Sequence, residues 1–309
     1  MIAAVDIGGT KIAVGMVDDR GKVLSRAEAP TEAERGYPSA LQKISGLVRT
    51  VASDAGRAIR GIGIGSTGML DPMTGVLADA DFLPGWEGKN PVEDLSREFG
   101  VSAAMENDGD AGALAEAYLG AGKGKRRLVY VTVGTGIGGG VILDGQLYRG
   151  VAMSHPEIGH HVLDAAGPEC SCGLRGCWEA LAAGSAMEKW YQASLREQSG
   201  RPLTAQQICE LAREGKELAK RAVEREGYYL GLGLANLINL FVPEVIVLGG
   251  GMMQSAELYL GKIREVIRQG CRFVPAGKTE IRLASLGDDA NLIGAAMVWR
   301  HRFGFAGSL

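Results

Sequence analysis

Two glycine-rich segments in this sequence have the composition of a phosphate-binding turn. They are Asp6-Ile7-Gly8-Gly9-Thr10-Lys11 and the segment that begins Gly134-Thr135-Gly136. A glycine turn between two strands leaves backbone N–H groups unpaired and has no Cβ to keep a ligand away, and a threonine hydroxyl adds a further donor. One such segment could be a plain hairpin turn, but two copies in register favour a phosphate site. Asp6, at the end of its strand, could hold Mg²⁺, which prefers hard oxygen ligands.

A second group of polar side chains, Glu106-Asn107-Asp108, lies between a predicted strand and a predicted helix. A carboxylate at such a corner can project into a cleft and accept the proton of an acceptor hydroxyl, which phosphoryl transfer requires. The same place also suits a helix N-cap, and Asp108 or Asp110 could serve as one. The residues alone leave both interpretations open.

A third group combines sulfur and imidazole donors. Its members are His160, Cys170, Cys172 and Cys177. Three thiolates and one imidazole suit a closed tetrahedral Zn²⁺ site with no position for an activated water, so we expect a structural metal. His155 and His161 lie close to His160 in sequence, and the spacing does not choose among the three histidines.

A zinc ion that fixes His160 would also fix Glu157, three residues earlier, and the loop that leads to Glu179. Carboxylates held in this way could accept hydrogen bonds from sugar hydroxyls, because each unpaired polar group in a dry cleft costs about 1 to 3 kcal/mol. Glu157 could otherwise be a solvated loop carboxylate, and Glu179 an acid in the first turn of a helix. A further glycine run, 249–251, could either approach a nucleotide or simply end a buried strand.

An α/β framework must position these groups. Strands are predicted at 2–7, 11–17, 22–29, 61–66, 101–106 and 242–251, and helices at 37–55, 90–100, through much of 179–240 and after 288. Residues 4–19 align with 130–145, so that Gly8 matches Gly134 and Asp18 matches Asp144. This duplication favours two similar α/β domains that face each other across a cleft. We expect a small domain of 1–118 joined by a C-terminal helix at 290–309, and a large domain of 119–289 with the zinc knuckle.

Composition excludes several classes of protein. The chain has 309 residues with 33 basic and 36 acidic side chains, a formal charge of −3, which argues against a nucleic-acid binder. No run of about 18 apolar residues appears, so neither a signal peptide nor a membrane span is expected. Five cysteines, three of them clustered, are typical of a cytoplasmic protein rather than of a disulfide-rich secreted one.

Five motifs taken together resemble the ROK family of bacterial sugar kinases, within the hexokinase and actin-like ATPase superfamily. They are DIGGTK, END at 106–108, VTVGTGIGGG, PEIGHH and CSCGLRGCWE, in the order of the family and over essentially the whole chain. The resemblance implies two actin-like ATPase (ribonuclease H-like) domains that flank a cleft. It also implies binding of ATP and Mg²⁺, and transfer of the γ-phosphoryl group to a hexose, usually at the 6-hydroxyl.

The resemblance also implies roles for individual residues. Asp108 matches the catalytic base and Asn107 a sugar-hydroxyl ligand, so Asp110 is left with the capping role. It selects His160 as the fourth zinc ligand. The resemblance favours sugar contacts for five residues and nucleotide contacts for the glycine run 249–251. The predicted sugar set is Gly68, Asn107, Glu157, His160 and Glu179, and the nucleotide glycines are Gly249, Gly250 and Gly251.

Two segments point to different sugars. Ser154-His155-Pro156-Glu157 resembles the fructokinase-like branch of the family, in which proline stiffens the entry to the sugar loop. The segment from Asp81 to Trp86 and the complete cysteine cluster resemble the glucokinase branch. We therefore expect an aldohexose, glucose before mannose, then fructose, then an N-acetylhexosamine.

Two other classes of function are alternatives to a kinase. The family also includes sugar-sensing transcriptional repressors, which carry a helix-turn-helix before the DIGGT motif, whereas Asp6 already stands five residues after Met1. A filament-forming actin relative would share the phosphate turns but would not need the zinc and EIGH elements. We expect a homodimer, as is common in the family, and polyphosphate stays open as an alternative phosphoryl donor.

Overall fold

A computed structural model describes residues 1–78, 82–195 and 201–304 of the chain. Asp81, part of the segment compared with the glucokinase branch, lies outside the described residues. None of the described helices is long and apolar enough to cross a membrane. Two compact units arise from the packing: 1–128, 140–156 and 284–309 form the first, and 129–139 and 157–283 form the second. The predicted domain bounds, 1–118 with 290–309 and 119–289, stay a prediction.

The first part of the chain alternates strands and helices, as expected. Its elements are β1 (Ile2–Ile7), β2 (Lys11–Val17), β3 (Val23–Pro30), α1 (Tyr37–Ala55), β4 (Gly61–Ser66), β5 (Leu70–Asp71), β6 (Val76–Leu77), α2 (Pro91–Phe99), β7 (Ser102–Asn107) and α3 (Asp108–Tyr118). The predicted bounds of β1, β2, α1 and β4 are confirmed to the residue. The short hairpin of β5 and β6 was not predicted, because four residues are too few for a hydrophobic period.

The rest of the chain repeats the opening motif and then becomes mostly helical. Its elements are β8 (Leu128–Val133), β9 (Ile137–Leu143), β10 (Gln146–Leu147), α4 (Trp178–Ala182), α5 (Gly184–Ala193), α6 (Ala205–Arg213), α7 (Glu217–Phe241), β11 (Val245–Gly249), α8 (Ala256–Gly270), β12 (Glu280–Leu283) and α9 (Ala290–Phe303). Strands β8 and β9 begin and end 126 residues after β1 and β2, so the predicted duplication is confirmed.

The first sheet has the strand order β3-β2-β1-β4-β7. β1, β2 and β3 pair antiparallel, whereas β1, β4 and β7 are parallel. Alternate residues of each strand point to opposite faces. Val5 therefore packs in a core with Ile44 of α1 and Leu95 of α2, while Ala4 packs with Leu114 of α3 and Ala296 of α9.

Helix α9 belongs to the first unit and packs on its N-terminal strands. Gly63 of β4 and Gly294 of α9 allow this close approach. A Cβ on Gly63 would lie 1.8 Å from the carbonyl oxygen of Ala295, and one on Gly294 would lie 2.8 Å from that of Ala111. The small residue Gly294 of α9 therefore serves packing.

The second sheet has the order β10-β9-β8-β11-β12. β11 pairs parallel with β12 and is buried along its whole length. The strand predicted at 242–251 is shorter than expected, because Val242 is the left-handed residue (φ 43°) that ends α7. Among its described residues, the helical region predicted at 179–240 contains helices α4 to α7.

Candidate active site

The carboxyl ends of three parallel strands meet at one edge of the first sheet. The register places Ile7 of β1 beside Ser66 of β4, and Ser66 beside Asn107 of β7. The turns that follow these strands, including those with Gly68 and Asp108, therefore begin at the same edge. Ligands of open α/β sheets bind outside the carboxyl ends of the strands, and this edge has that geometry.

Helix α3 begins at this edge, and its N-cap is Asn107. The Asn107 Oδ1 accepts a hydrogen bond of 2.8 Å from the Gly109 N–H, and its Nδ2 donates one of 3.3 Å to the carbonyl oxygen of Gly68. The exposed Asp108 also accepts from the Gly109 N–H, at 2.8 Å. The structure thus brings three predicted site residues, Asn107, Asp108 and Gly68, into one hydrogen-bonded turn.

The capping role predicted for Asp110 is wrong. Asp110 lies inside the first turn of α3 with its side chain 1 % exposed, and its Oδ2 is 2.7 Å from Nη1 of Arg149. The same guanidinium binds Glu106 through Nη2 at 2.5 Å. Asn107 caps the helix instead, because it is the residue whose extended backbone precedes the first helical turn. Sequence reasoning missed Arg149, since no local pattern links it to residues about forty positions earlier.

The first glycine turn is partly closed by its own hairpin. The Gly8 N–H donates to the Lys11 carbonyl oxygen at 2.9 Å, and the Gly8 carbonyl oxygen accepts from the Thr31 hydroxyl at 2.6 Å. The expectation that these turns leave their amides unpaired is therefore wrong at Gly8. It is also wrong at Gly134, whose N–H donates to the Gly136 carbonyl oxygen at 2.9 Å. Fewer backbone N–H groups of the two glycine turns are therefore available to bind a phosphate than the sequence predicts.

Asp6 is held at the end of β1 by a hydrogen bond of 3.0 Å from the Asn291 side-chain amide of α9. Burial raises the pKa of Asp6, while the Asn291 bond and the charge of Lys11 lower it. A nearby cation would stabilise the ionised carboxylate, so the donor and its surroundings fit the hard ion Mg²⁺. Lys11 forms an exposed ion pair of 3.1 Å with Glu28 of β3.

In the second unit, Glu179 supports the second glycine turn. Its Oε2 accepts a hydrogen bond of 2.9 Å from the Ile137 N–H, and a Cβ on Gly136 would lie 2.3 Å from the same oxygen. A side chain at Gly136 would therefore require the Glu179 carboxylate to move. The Gly134 carbonyl oxygen also accepts from the Gly184 N–H at 2.8 Å, which joins the turn to α5.

A cavity of about 640 Å³ opens beside this turn, within the size range of small-molecule sites. Its lining includes Gly134, Thr135, Ser185, Gln206, Arg213 and Gly251. Gly251 is thus placed at a cavity, as a nucleotide glycine would be. Gly249 and Gly250 pack against β8, where Cβ atoms would lie 2.6 Å from the Tyr130 hydroxyl and 2.3 Å from the Val133 carbonyl oxygen.

The predicted metal residues come together in the second unit. They are His160, Cys170, Cys172 and Cys177, and one ligand atom from each lies within 4.8 Å of all the others. The His160 Nδ1 is 3.4 Å from the Cys170 Sγ, and the Cys172 and Cys177 Sγ atoms are 3.5 Å apart. These separations fit a tetrahedron with bond lengths of about 2.0 to 2.3 Å, so the donor set suits Zn²⁺.

The other two candidate histidines are placed differently. His161 bonds the Ile158 carbonyl oxygen through Nδ1 at 2.6 Å and packs on Trp178 with ring centroids 5.3 Å apart. His155 lies in the first unit beside Asn107 and Arg149. Glu157 is exposed, and its carbonyl oxygen accepts from the His160 N–H at 3.1 Å, so its backbone is tied to a candidate metal ligand.

A family model described as the ROK family matches residues 2–302 of this chain. Among curated relatives, a glucokinase from Thermotoga maritima is 32 % identical, with 98 % of each chain covered. A xylose repressor from Bacillus subtilis is also 32 % identical, over 77 % of this chain and 60 % of the repressor.

Solved structures give the same relationship. A ROK hexokinase from Thermus thermophilus superposes with a TM-score of 0.85 and 36 % identity, covering 97 % of this chain and 98 % of that one. A ROK family glucokinase from Streptomyces griseus, in complex with glucose and AMPPNP, gives a TM-score of 0.81 and 31 % identity, with 96 % and 97 % covered.

Proposed function

We propose that this chain, which belongs to the ROK family and is an ATP-dependent sugar kinase, transfers the γ-phosphoryl group of Mg·ATP to the 6-hydroxyl of glucose. The observation that carries this proposal is the turn at the end of β7, where Asn107 is fixed by two hydrogen bonds and Asp108 stands exposed beside it. Mannose is the second candidate acceptor, followed by fructose and an N-acetylhexosamine.

Asp108 is our candidate for the base that accepts the proton of the sugar hydroxyl. A carboxylate contributes about 10²- to 10⁴-fold to the rate in such a role when it lies within hydrogen-bond reach of the hydroxyl. Asn107 offers a side-chain amide whose orientation its bonds to Gly68 and Gly109 determine. Gly68, Glu157, His160 and Glu179 complete the proposed sugar residues.

We assign the phosphates of ATP to the two glycine turns, with Gly8, Gly9, Thr10 and Lys11 in one and Gly134, Thr135 and Gly136 in the other. The cavity of about 640 Å³ beside Gly251 has room for the nucleoside part of the molecule. Asp6 is our candidate ligand for Mg²⁺, which when bound neutralises charge on the phosphoryl oxygens. His160 and the three clustered cysteines are our candidate ligands for a structural Zn²⁺.

Relatives that are xylose repressors support a second candidate, a regulator that binds sugar without turnover. The glucokinase relative favours the enzyme, because it is 32 % identical over 98 % of this chain, whereas the repressor is 32 % identical over 77 % of it. A regulator that binds sugar without turnover needs no catalytic base. The variant Asp108→Asn therefore distinguishes the kinase from the regulator.

The test measures ADP release from Mg·ATP with glucose, mannose, fructose, N-acetylglucosamine and N-acetylmannosamine, and repeats it with polyphosphate as donor. We expect glucose to give the highest kcat/KM, and Asp108→Asn to lower kcat by about 10³-fold while calorimetry still detects glucose binding. The matched control is Asp54→Asn, at an exposed aspartate near the end of α1, which should keep full turnover. Unchanged turnover in Asp108→Asn would refute the base, and glucose binding without any turnover would favour the regulator.

A further inference from the structure

Arg149 is a nearly buried cation for which neither the sequence motifs nor the proposed chemistry has a use. It follows the short strand β10, and its side chain is 10 % exposed. Its two terminal nitrogens bind different carboxylates, Nη2 to Glu106 at 2.5 Å and Nη1 to Asp110 at 2.7 Å. A planar guanidinium forms such a fork without strain, whereas a lysine ammonium does not reproduce it.

The two carboxylates stand on either side of the catalytic turn. Glu106 is two residues before Asp108 and Asp110 is two residues after it. Both are poorly exposed, with side chains 15 % and 1 % accessible, so neither is surrounded by water. Arg149 therefore links the last residues of β7 to the first turn of α3, across the corner that carries Asp108.

The charges of Glu106 and Asp110 explain why their contact with Arg149 is important. The pKa of Glu106 is raised to about 7, chiefly by burial and in smaller part by the charge of Asp110, while the charges of Arg149 and Arg302 oppose the rise. Without the guanidinium, two nearly buried carboxylates would repel each other across the turn. We expect that either the turn is displaced or Glu106 becomes protonated. Either change would move Asn107 and Asp108, which lie between Glu106 and Asp110 in the sequence.

We propose that Arg149 is a positioning residue for phosphoryl transfer, which holds Asn107 and Asp108 in place by binding the carboxylates of Glu106 and Asp110 on either side. This inference rests on the proposed role of Asp108 as the base. A displacement of about 1 Å in a reacting group costs about 10²-fold in rate, so the orientation that Arg149 provides matters for catalysis even though it touches no substrate.

The same residue begins the segment that leads to Glu157. This segment contains two residues with left-handed backbone, Ala152 at φ 52° and Met153 at φ 60°. Met153 and His155 line a small cavity together with Asn107, Asp110 and Arg149. Arg149 thus binds both sides of the turn that carries the base and lines the same small cavity as two residues of the segment that leads to Glu157.

The experiment compares Arg149→Ala and Arg149→Lys, each alone and combined with Asp108→Asn. Single-turnover kinetics with excess enzyme measure the slow variants. We expect Arg149→Ala to lower kcat about 100-fold and Arg149→Lys about 10-fold, to weaken sugar binding through Asn107, and to leave the KM for ATP unchanged. In the Asp108→Asn background the further loss from either change should be less than 3-fold, because there is no base left to position.

Two controls separate positioning from general damage. Arg97 of α2 also contacts two carboxylates, those of Glu93 and Asp94 at 3.1 Å each, but it is exposed, so Arg97→Ala should keep full activity. A cavity of about 290 Å³ lined by Glu106 and Arg149 gives a small cation room to enter. Millimolar guanidinium should therefore restore part of the kcat of Arg149→Ala but not of Asp108→Asn.

Four results would contradict these assignments. The positioning role is overturned if the decreases in kcat caused by the Arg149 and Asp108 substitutions multiply in the double variant. It is also overturned if Arg149→Ala leaves kcat unchanged. If Arg149→Ala does not fold, Arg149→Lys decides, and its unchanged kcat would also overturn it. Full turnover in Asp108→Asn alone instead refutes the base, so failure of the proposed function is recognised separately from failure of this inference.

Discussion

Acidic side chains of this protein have different properties because their surroundings differ. Asp108 is exposed, Asp110 is buried but paired with Arg149, and Glu226 of α7 is fully buried. Neither carboxyl oxygen of Glu226 has a hydrogen-bond partner among the described residues. Burial raises the pKa of Glu226 to about 8, and the charge of Arg225 opposes the effect only in part. Glu226 is therefore mostly protonated at neutral pH, which matches its apolar site.

Glu226→Gln should change how stability depends on pH. The folded-state pKa lies above the ordinary value of 4.5, so Glu226 favours folding at low pH, and this contribution is lost as pH rises from about 4.5 to about 8. At about 1.4 kcal/mol per pH unit, the loss is on the order of 5 kcal/mol. Urea unfolding between pH 5 and 9 should show a much flatter curve for Glu226→Gln.

The matched control for this prediction is Glu224→Gln, two residues earlier on the same helix, where the side chain is 67 % exposed. It should leave the pH dependence of unfolding close to that of the parent protein. If the free energy of unfolding depends on pH equally in Glu226→Gln and in the parent protein, Glu226 is not the group that causes this dependence.

At the scale of elements, the spacing between helices and strands depends on glycines that the neighbouring backbone approaches. Gly63 of β4 lies against the carbonyl of Ala295 in α9, and Gly233 of α7 lies against the Trp178 ring, where a Cβ would be 2.1 Å from the indole. Both residues have ordinary backbone angles, since neither is among the glycines with positive φ. Their lack of a side chain is thus a requirement of packing and not of conformation.

Gly63→Ala should therefore destabilise the first unit, although alanine costs less than glycine in a strand. Overpacking usually costs about 1 to 3 kcal/mol, and a contact with backbone allows little relaxation, so we expect at least about 3 kcal/mol by urea unfolding. Gly46→Ala is the matched control. It lies on the exposed face of α1 with nothing near its Cβ position, and it should stabilise by about 1 kcal/mol. A Gly63→Ala protein as stable as its parent would show that α9 can move away from β4.

At the scale of the whole molecule, neither compact unit is formed by one continuous stretch of chain. The first unit combines three segments and the second combines two. The candidate metal ligands all belong to the second unit. Loss of a metal from that cluster should therefore act first on the second unit.

Removal of zinc is expected to have a local effect. We predict about one zinc ion per chain in purified protein, and its loss in Cys170→Ser. Amide hydrogen exchange should then accelerate in residues 158–178, where the bridges Val162↔Cys177 and Glu169↔Arg175 hold the knuckle, while β1 and β4 keep their protection. The control is Cys271→Ser, a buried thiol outside the cluster. Protein that contains no zinc and folds normally would contradict the assignment.

Much of the framework was predictable because it depends on local patterns. Strands β1 and β2, helix α1 and the duplicated β8 and β9 followed from hydrophobic period and glycine turns. The cysteine spacing also predicted the metal cluster. Residue roles beyond the motifs were less accessible. The capping role predicted for Asp110 is wrong, because its partner Arg149 is remote in sequence and the residue at which a helix begins is known only to within one or two positions.

What the sequence determined by itself is therefore the family, the order of the elements and the residue types that can do chemistry, since each depends on neighbours along the chain. The tertiary structure alone decided which of them meet. It joined Asn291 to Asp6, bound the Thr31 hydroxyl to the Gly8 carbonyl oxygen, and placed Arg149 between Glu106 and Asp110. These contacts span tens to hundreds of residues, and they exist because sheet register and helix packing bring together side chains whose pairing no local pattern encodes.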